Sequence, residues 1–450
     1  MTTYWCEHAT LPTGTVAGVR LTIEGHRIAS IQRRAQADVA DVRLPGVTMP
    51  GLANAHSHVF HRGLRARTHG AGFDFFQWRE RMYALMGRLD PENFHALARA
   101  TFAEMALAGI TLVGEFHHVH HDRKGKPYGD RNAMGLALQL AAEEAGIRLT
   151  LIDTVYLAGG LDGTGYLPPS GTQKRFSDKD VDRWASRVQA LPETAMLRLG
   201  AGIHSVRAVP RDQLAQVAEV ARSRVGGTRT HDVPLHAHVS EALSENAATQ
   251  ACYGLTPAQL LAEEGVLGPH TTAIHATHVD EADVRLLGRS GTGVCLCPTT
   301  QCDLADGLGP TAQLRQAGVP TCLGTDQHVH IDMWQEMQAL ELYERVRSGE
   351  RGQLAPLELV HMATEQGYRA LGWPEGGRLE VGALADFQSV RLDSVRTVGS
   401  KPAQVLHSAA AFDVDTVVVG GRCIVEGGRH RLGSIALQLR LALDNLTDEG

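Results

Sequence analysis

No stretch of this chain approaches the roughly 20 consecutive apolar residues that a membrane-spanning helix needs. The opening residues Met1-Thr2-Thr3-Tyr4-Trp5-Cys6-Glu7-His8 lack the basic region followed by an apolar one that marks a secretory leader. There is no block of lysine and arginine, and the formal net charge is −7. Such a balance argues against a nucleic-acid partner or an anionic membrane surface. The expectation is a cytoplasmic protein acting on a small molecule. Cysteine is scarce and odd in number: Cys6, Cys252, Cys295, Cys297, Cys302, Cys322 and Cys423. Several lie inside apolar runs, which suits reduced, buried thiols better than a disulfide framework. Cys295-Leu296-Cys297 lacks the wider spacing and second pair of a zinc-binding motif, so it reads as core packing.

What the chain does have is length and histidine. Its 450 residues, 43% hydrophobic and 21% charged, can build one large α/β barrel with an appendage. Thr15–Ile23 alternates, turns at Glu24-Gly25-His26 and continues as Arg27–Ile31. The same texture returns at Gly382–Val390 and Val414–Arg422. Residues 1–47 and 380–430 are therefore expected to form one small β-sandwich domain from both chain ends, with residues 431–450 as a C-terminal helix.

Between the ends, strand and helix patterns alternate. Strands are predicted at Val47–Met49, Thr111–Phe116, Arg148–Asp153, Leu197–Ile203, Pro234–Val239, Thr272–Ala276, Gly293–Cys297 and Pro320–Thr325. Helices are predicted at Phe94–Ala108, Asn132–Ala145, Arg211–Ser223, Pro257–Glu264, Ala282–Gly288, Thr311–Ala317 and Met333–Ser348. Repeated βα units imply a parallel sheet, and eight strands across residues 48–379 fit a (β/α)8 barrel with its active site at the C-terminal strand ends.

Polar residues collect at those ends. His56-Ser57-His58 follows the first strand, and residues i and i+2 of a strand face the same way, so both imidazoles can reach one metal ion. With 23 histidines, a merely packed pair is the competing reading. Glu115, His117 and His118 end the second strand, and His204-Ser205-Val206-Arg207 follows the fourth. His236-Ala237-His238-Val239-Ser240-Glu241 ends the fifth, His275-Ala276-Thr277-His278 the sixth, and Gly324-Thr325-Asp326-Gln327-His328 the eighth. Any one of these histidines could be structural. Together they are hard to obtain by chance.

The order Pro-Gly-x-x-x-x-His-x-His, His-x-x-Glu, His-Ala-Thr-His and Gly-Thr-Asp resembles the metal-dependent amidohydrolase superfamily. The resemblance implies that His56, His58, His238 and Asp326 hold the metal. Strand four offers His204 and no lysine, against a carbamylated-lysine, two-metal site. One divalent ion is expected, with Zn²⁺ the best match to three imidazoles and a carboxylate.

Within the superfamily the chain is similar to the formimidoylglutamate deiminases. The similarity is carried by Trp78-Arg79-Glu80-x-Met82-Tyr83, Glu115-Phe116-His117-x-x-His120-His121, Ile203–Arg207 and Cys297-Pro298-Thr299-Thr300 with Asp303–Gly307. It implies hydrolysis of N-formimidoyl-L-glutamate to N-formyl-L-glutamate and ammonia, in histidine degradation, by a homodimer. Water at neutral pH is a poor nucleophile, and a bound metal ion lowers its pKa. By resemblance Glu241 is the proton carrier, His275 stabilises the tetrahedral intermediate, and Asp326 both ligates and orients. Arg79, His204 and Arg207 match carboxylate-binding positions, a task suited to the guanidinium fork, and His61 and His118 match substrate contacts. Four positions depart from the family's usual residues: His118 for Tyr, Ala242 for Gln, Gln301 for Glu, and Gln327 for Ser. The alternative is a related deaminase of another formimidoyl, amidine or aminated heterocyclic compound.

Overall fold

The computed structural model describes residues 1–70, 75–223 and 233–447. Eight strands form a parallel sheet in sequence order: Leu52–Ser57, Ile110–His117, Arg148–Val155, Leu197–Ile203, Leu235–Val239, Thr271–His275, Gly293–Leu296 and Thr321–Leu323. Each pairs with the next. A parallel bridge from Ser57 to Asp326 draws the last strand end to the first. This is the (β/α)8 barrel expected from the sequence. Its strands are buried on nearly every residue because helices cover the outer face of a parallel sheet.

The first strand corrects the sequence reading. Val47–Met49 is not the strand that carries His56; it lies in Val42–Pro50, which pairs with Thr2–Leu11 and Phe387–Val390 in a different sheet. The barrel strand begins at Leu52 and contains His56 itself. Gly51 is the crossing point between the two sheets. A Cβ there would lie 2.1 Å from Thr111 Oγ1, so only glycine lets the chain pass. Gly324 answers the same demand at the far edge, where a Cβ would sit 2.8 Å from the backbone nitrogen of His56.

Both chain ends build the second sheet, in the order Arg429–His430, Arg422–Glu426, Val414–Val419, Phe387–Val390, Val42–Pro50, Thr2–Leu11, Gly14–Glu24 and Arg27–Arg33. Its own core includes Tyr4, Cys6, Leu21, Phe387 and Val418. One fully buried contact ties it to the barrel. Arg148 donates to both oxygens of Asp386 at 2.6 and 3.1 Å, and Asp386 also accepts from Tyr368 Oη at 2.9 Å and from the Gly420 amide at 2.6 Å. Losing either charge would strand the other in the interior, at a cost of about 3–5 kcal/mol.

Helix boundaries shift where caps decide them. The helix predicted from Phe94 starts at Pro91, because the Asp90 side chain accepts from Asn93 and proline suits the first turn. Glu281–Ser290 likewise starts earlier than predicted, behind the cap Asp280. Arg211–Ser223 and Met333–Ser348 match their predicted ranges. Six α-helices among the described residues were not predicted: Phe75–Arg88, Val181–Val188, Leu243–Tyr253, Pro298–Asp303, Pro356–His361 and Gly367–Ala370. The C-terminal helix runs Ile435–Thr447; positions 448–450 of its predicted range lie outside the described residues. All seven cysteines are free, with Cys6, Cys295, Cys297 and Cys322 buried. No helix among the described residues is long and apolar enough to cross a membrane.

Candidate active site

The C-terminal mouth of the barrel gathers the predicted metal ligands. His56 Nε2 lies 3.2 Å from His238 Nε2 and 3.4 Å from Asp326 Oδ1, and His58 Nε2 lies 3.7 Å from the same oxygen. His58 Nδ1 donates to the carbonyl of Phe116 at 3.0 Å, and His238 Nδ1 to that of His204 at 2.7 Å. A carbonyl only accepts, so both protons sit on Nδ1 and both Nε2 atoms carry lone pairs. Burial, then the crowd of neighbouring imidazoles, pushes His56 and His58 well below the usual histidine range. His238 falls to about 4, first through burial. Neutral imidazoles facing a carboxylate in a dry site suit a divalent ion.

Two overlapping trios, His56–His58–Asp326 and His56–His238–His275, have donor atoms within 4.8 Å of one another. A third, His275–Cys297–Asp326, reaches a thiol that burial pushes up to about 12. A fourth, His117–His120–Asp153, stands apart. There Arg187 grips both Asp153 oxygens at 2.8 Å and Trp184 donates to one at 3.0 Å. That carboxylate is already neutralised, so the group reads as structural.

The left-handed backbone of Ser240, His275 and Asp326 (φ 50°, 70° and 41°) turns the chain sharply at the ends of strands five, six and eight. Such conformations cost non-glycine residues energy and concentrate at functional sites. A buried network holds the turns: Asn54 donates to Thr325 Oγ1 at 2.7 Å, Thr325 Oγ1 meets His328 Nδ1 at 2.9 Å, and His328 Nε2 meets Ser57 Oγ at 3.0 Å. Ser57 in turn donates to Glu115 at 2.6 Å. Burial pushes Glu115 up to about 8.

Glu241 follows His238 at the rim. Its Oε1 is 3.6 Å from His275 Nε2, and its Oε2 accepts from Arg207 at 3.0 Å. Burial would raise this carboxyl, but His275, His238 and Arg207 outweigh it and hold it at about 2, ionised across the neutral range. Asp326 moves the other way, to about 6, chiefly through burial. Arg207 also faces Glu245, whose fully buried Oε1 lies 3.6 Å from its Nε.

These residues open into a cavity of about 380 Å³. His61, Arg79, His118, His204 and Arg207 all line it, so every predicted substrate contact reaches one space. Arg79 comes from the unpredicted helix Phe75–Arg88. Of the four departures, His118 and Gln327 line the cavity. Gln301 is buried and donates to Thr277 at 2.8 Å, and Ala242 caps the helix Leu243–Tyr253 without a side-chain bond. Tyr83, Tyr156 and Gln173 also line the cavity and were not among the predicted contacts, and the Tyr156 ring lies 4.7 Å from that of His204. Tyr156 stands directly after strand three, where the rule that polar groups collect at strand ends could have found it.

The amidohydrolase family profile matches residues 47–424. The chain is 34% identical over 447 residues to a formimidoylglutamate deiminase of Pseudomonas aeruginosa, covering 96% of each. It is 31% identical over 402 residues to an 8-oxoguanine deaminase of the same organism, covering 88% of this chain and 86% of that one. A solved amidohydrolase structure from Brucella melitensis superposes with a TM-score of 0.91 at 32% identity, over 99% of this chain and 100% of that one.

Proposed function

The chain belongs to the amidohydrolase family, and from that premise we propose that it hydrolyses N-formimidoyl-L-glutamate to N-formyl-L-glutamate and ammonia. One observation carries the reading. A single cavity is lined by His58, His238 and Asp326, which meet His56 behind them, by an ionised Glu241 and by two arginines, Arg79 and Arg207. The first suits amidine hydrolysis. The arginines suit a dicarboxylate.

His56, His58, His238 and Asp326 would hold the divalent ion, with Zn²⁺ the best match to these donors. When bound, such an ion lowers the pKa of water from about 15.7 towards 7. The protein's own groups do the rest. Arg207 and Arg79 hold the carboxylates and so fix the formimidoyl carbon beside Glu241. As water oxygen bonds to that carbon, Glu241 accepts the water's proton. It delivers that proton to the terminal nitrogen, then carries the remaining hydroxyl proton to the same nitrogen as the C–N bond breaks, so ammonia leaves with both water protons and a formyl group stays behind. His275, 3.6 Å from Glu241 and 3.8 Å from Asp326, would stabilise the tetrahedral stage. On this reading the enzyme serves histidine degradation as a homodimer, both implied by the family resemblance, and works in the cytoplasm, the expectation drawn from the sequence itself.

A second reading, another formimidoyl, amidine or aminated heterocyclic substrate, draws on His118 and Gln327, departures that face the cavity. An ammonia-release screen over formimidoyl amino acids, guanidino acids and aminated heterocycles separates the two. N-formimidoyl-L-glutamate should give the highest kcat/KM. No turnover of it by protein with metal bound would overturn the first reading in favour of the second.

A further inference from the structure

Tyr156 lies at the end of the third barrel strand, 6% exposed, with its ring set against His204 (centroids 4.7 Å apart) and Phe176 (5.1 Å). Its oxygen accepts from the Gln173 carboxamide at 3.0 Å. The orientation of that carboxamide is fixed by the backbone. Gln173 Oε1 accepts from the Ser170 amide at 3.1 Å, and Nε2 donates to the Gly159 carbonyl at 2.9 Å. Neither backbone partner can exchange its role. Tyr156 is therefore an acceptor towards Gln173, and its hydroxyl proton must go elsewhere.

The neighbouring Tyr83 hydroxyl lies 3.3 Å from Gln173 Nε2, whose two protons are taken by the shorter contacts to Gly159 and Tyr156. Two phenols hold two protons, and at most one can be spent between them. At least one donor is left for the cavity that Tyr83, Tyr156, His204 and Arg207 line together. Burial, then Tyr83, raises the Tyr156 phenol, against a smaller opposing pull from Arg207, so it stays protonated and able to donate. An anion seated on Arg207 accepts that proton in preference to a neutral phenol oxygen, because charge-assisted hydrogen bonds are roughly twice as strong.

We propose that Tyr156 is a further substrate-binding residue, donating its hydroxyl to the same substrate carboxylate that Arg207 holds, with Gln173 as the positioning residue. This rests on the reading of the substrate as a carboxylate. The Gln173 bond leaves the hydroxyl one free role, as a donor. A carboxylate satisfies it, whereas a carboxamide turned the wrong way leaves two donors opposed.

The test is binding of N-formyl-L-glutamate and its two mono-amides to metal-loaded wild type, Tyr156→Phe, Tyr83→Phe and Gln173→Leu by calorimetry. Tyr156→Phe keeps the ring packing and should weaken N-formyl-L-glutamate by about 10- to 100-fold, the range for one hydrogen bond to a charged group. The mono-amide made at the carboxylate held by Arg207 should bind wild type and Tyr156→Phe within threefold of each other. Tyr83→Phe should lose less than Tyr156→Phe. Gln173→Leu should show part of the same selective loss, and it carries the test should Tyr156→Phe not fold. Unchanged affinity in Tyr156→Phe, within twofold for all three probes, would overturn the inference alone. Wild type binding none of them would overturn the proposed substrate and this inference together.

Discussion

Replacing Glu241 by Gln isolates proton transfer from every other part of the site. The carboxamide has the carboxylate's shape, so its oxygen can still accept from Arg207 at the present 3.0 Å while its nitrogen faces His275. None of the four donor trios includes Glu241, so metal content should match wild type. What disappears is a group that can take a proton and return it. One positioned acid–base group contributes about 10²- to 10⁴-fold, or about 3–5 kcal/mol of barrier. Because Glu241 is asked to act twice, on the water and on the departing nitrogen, the loss in kcat should lie in the upper half of that range. The assay is coupled ammonia release at saturating N-formimidoyl-L-glutamate, alongside metal analysis of the same preparation. A variant with full metal and kcat within tenfold of wild type would refute the role given to Glu241.

His238→Asn should lower bound metal at least tenfold, measured by elemental analysis of protein purified without chelator, because it removes one of four donors. Chelation of the wild type should abolish ammonia release and lower the unfolding temperature, since an ion that binds only the folded state stabilises it. Both should return on adding Zn²⁺. His120 offers a pH test remote from the reaction. Burial lowers it to about 4 in the folded state, against about 6.5 when unfolded. The folded state therefore gains from its neutrality fully above pH 6.5, and the gain is lost as pH falls from 6.5 towards 4. Unfolding at pH 5 should take up about one proton fewer in His120→Gln than in wild type, read from the slope of stability against pH.

The barrel was legible because parallel strands buried on both faces leave apolar runs, and the site because its polar groups follow those runs. The first strand was misjudged because Val47–Met49 and Leu52–Ala55 are two such runs in succession, divided at Pro50-Gly51. Local pattern does not say which sheet a run joins. Long-range pairs leave no pattern at all: Arg148 and Asp386 are 238 residues apart, yet each neutralises the other in the interior. Tyr156 was missed for a further reason. The third strand's visible polar residue, Asp153, points away from the cavity to Arg187 and Trp184. The functional group comes three residues later, as an aromatic that composition groups with the core.

The same geometry divides the four departures from the family's usual residues. Ala242 and Gln301 are satisfied outside the cavity wall, so they bear on local packing. His118 and Gln327 face the cavity, and they differ in freedom. Gln327 donates to Asp303 at 2.7 Å and is held there. His118 is 5% exposed with its Nδ1 unpartnered, its ring 4.9 Å from Phe176 and 5.3 Å from His204. Burial pushes it well below the usual histidine range, so it meets the ligand as a neutral ring. It is the position where a side chain could be chosen by the substrate alone. His118→Tyr tests that choice, replacing a ring nitrogen by a hydroxyl carried further into the cavity. If N-formimidoyl-L-glutamate is the substrate this wall evolved for, the larger ring should raise its KM about 3- to 10-fold, the scale of one altered polar contact. A KM that instead falls tenfold would mean the histidine was fitted to a different ligand.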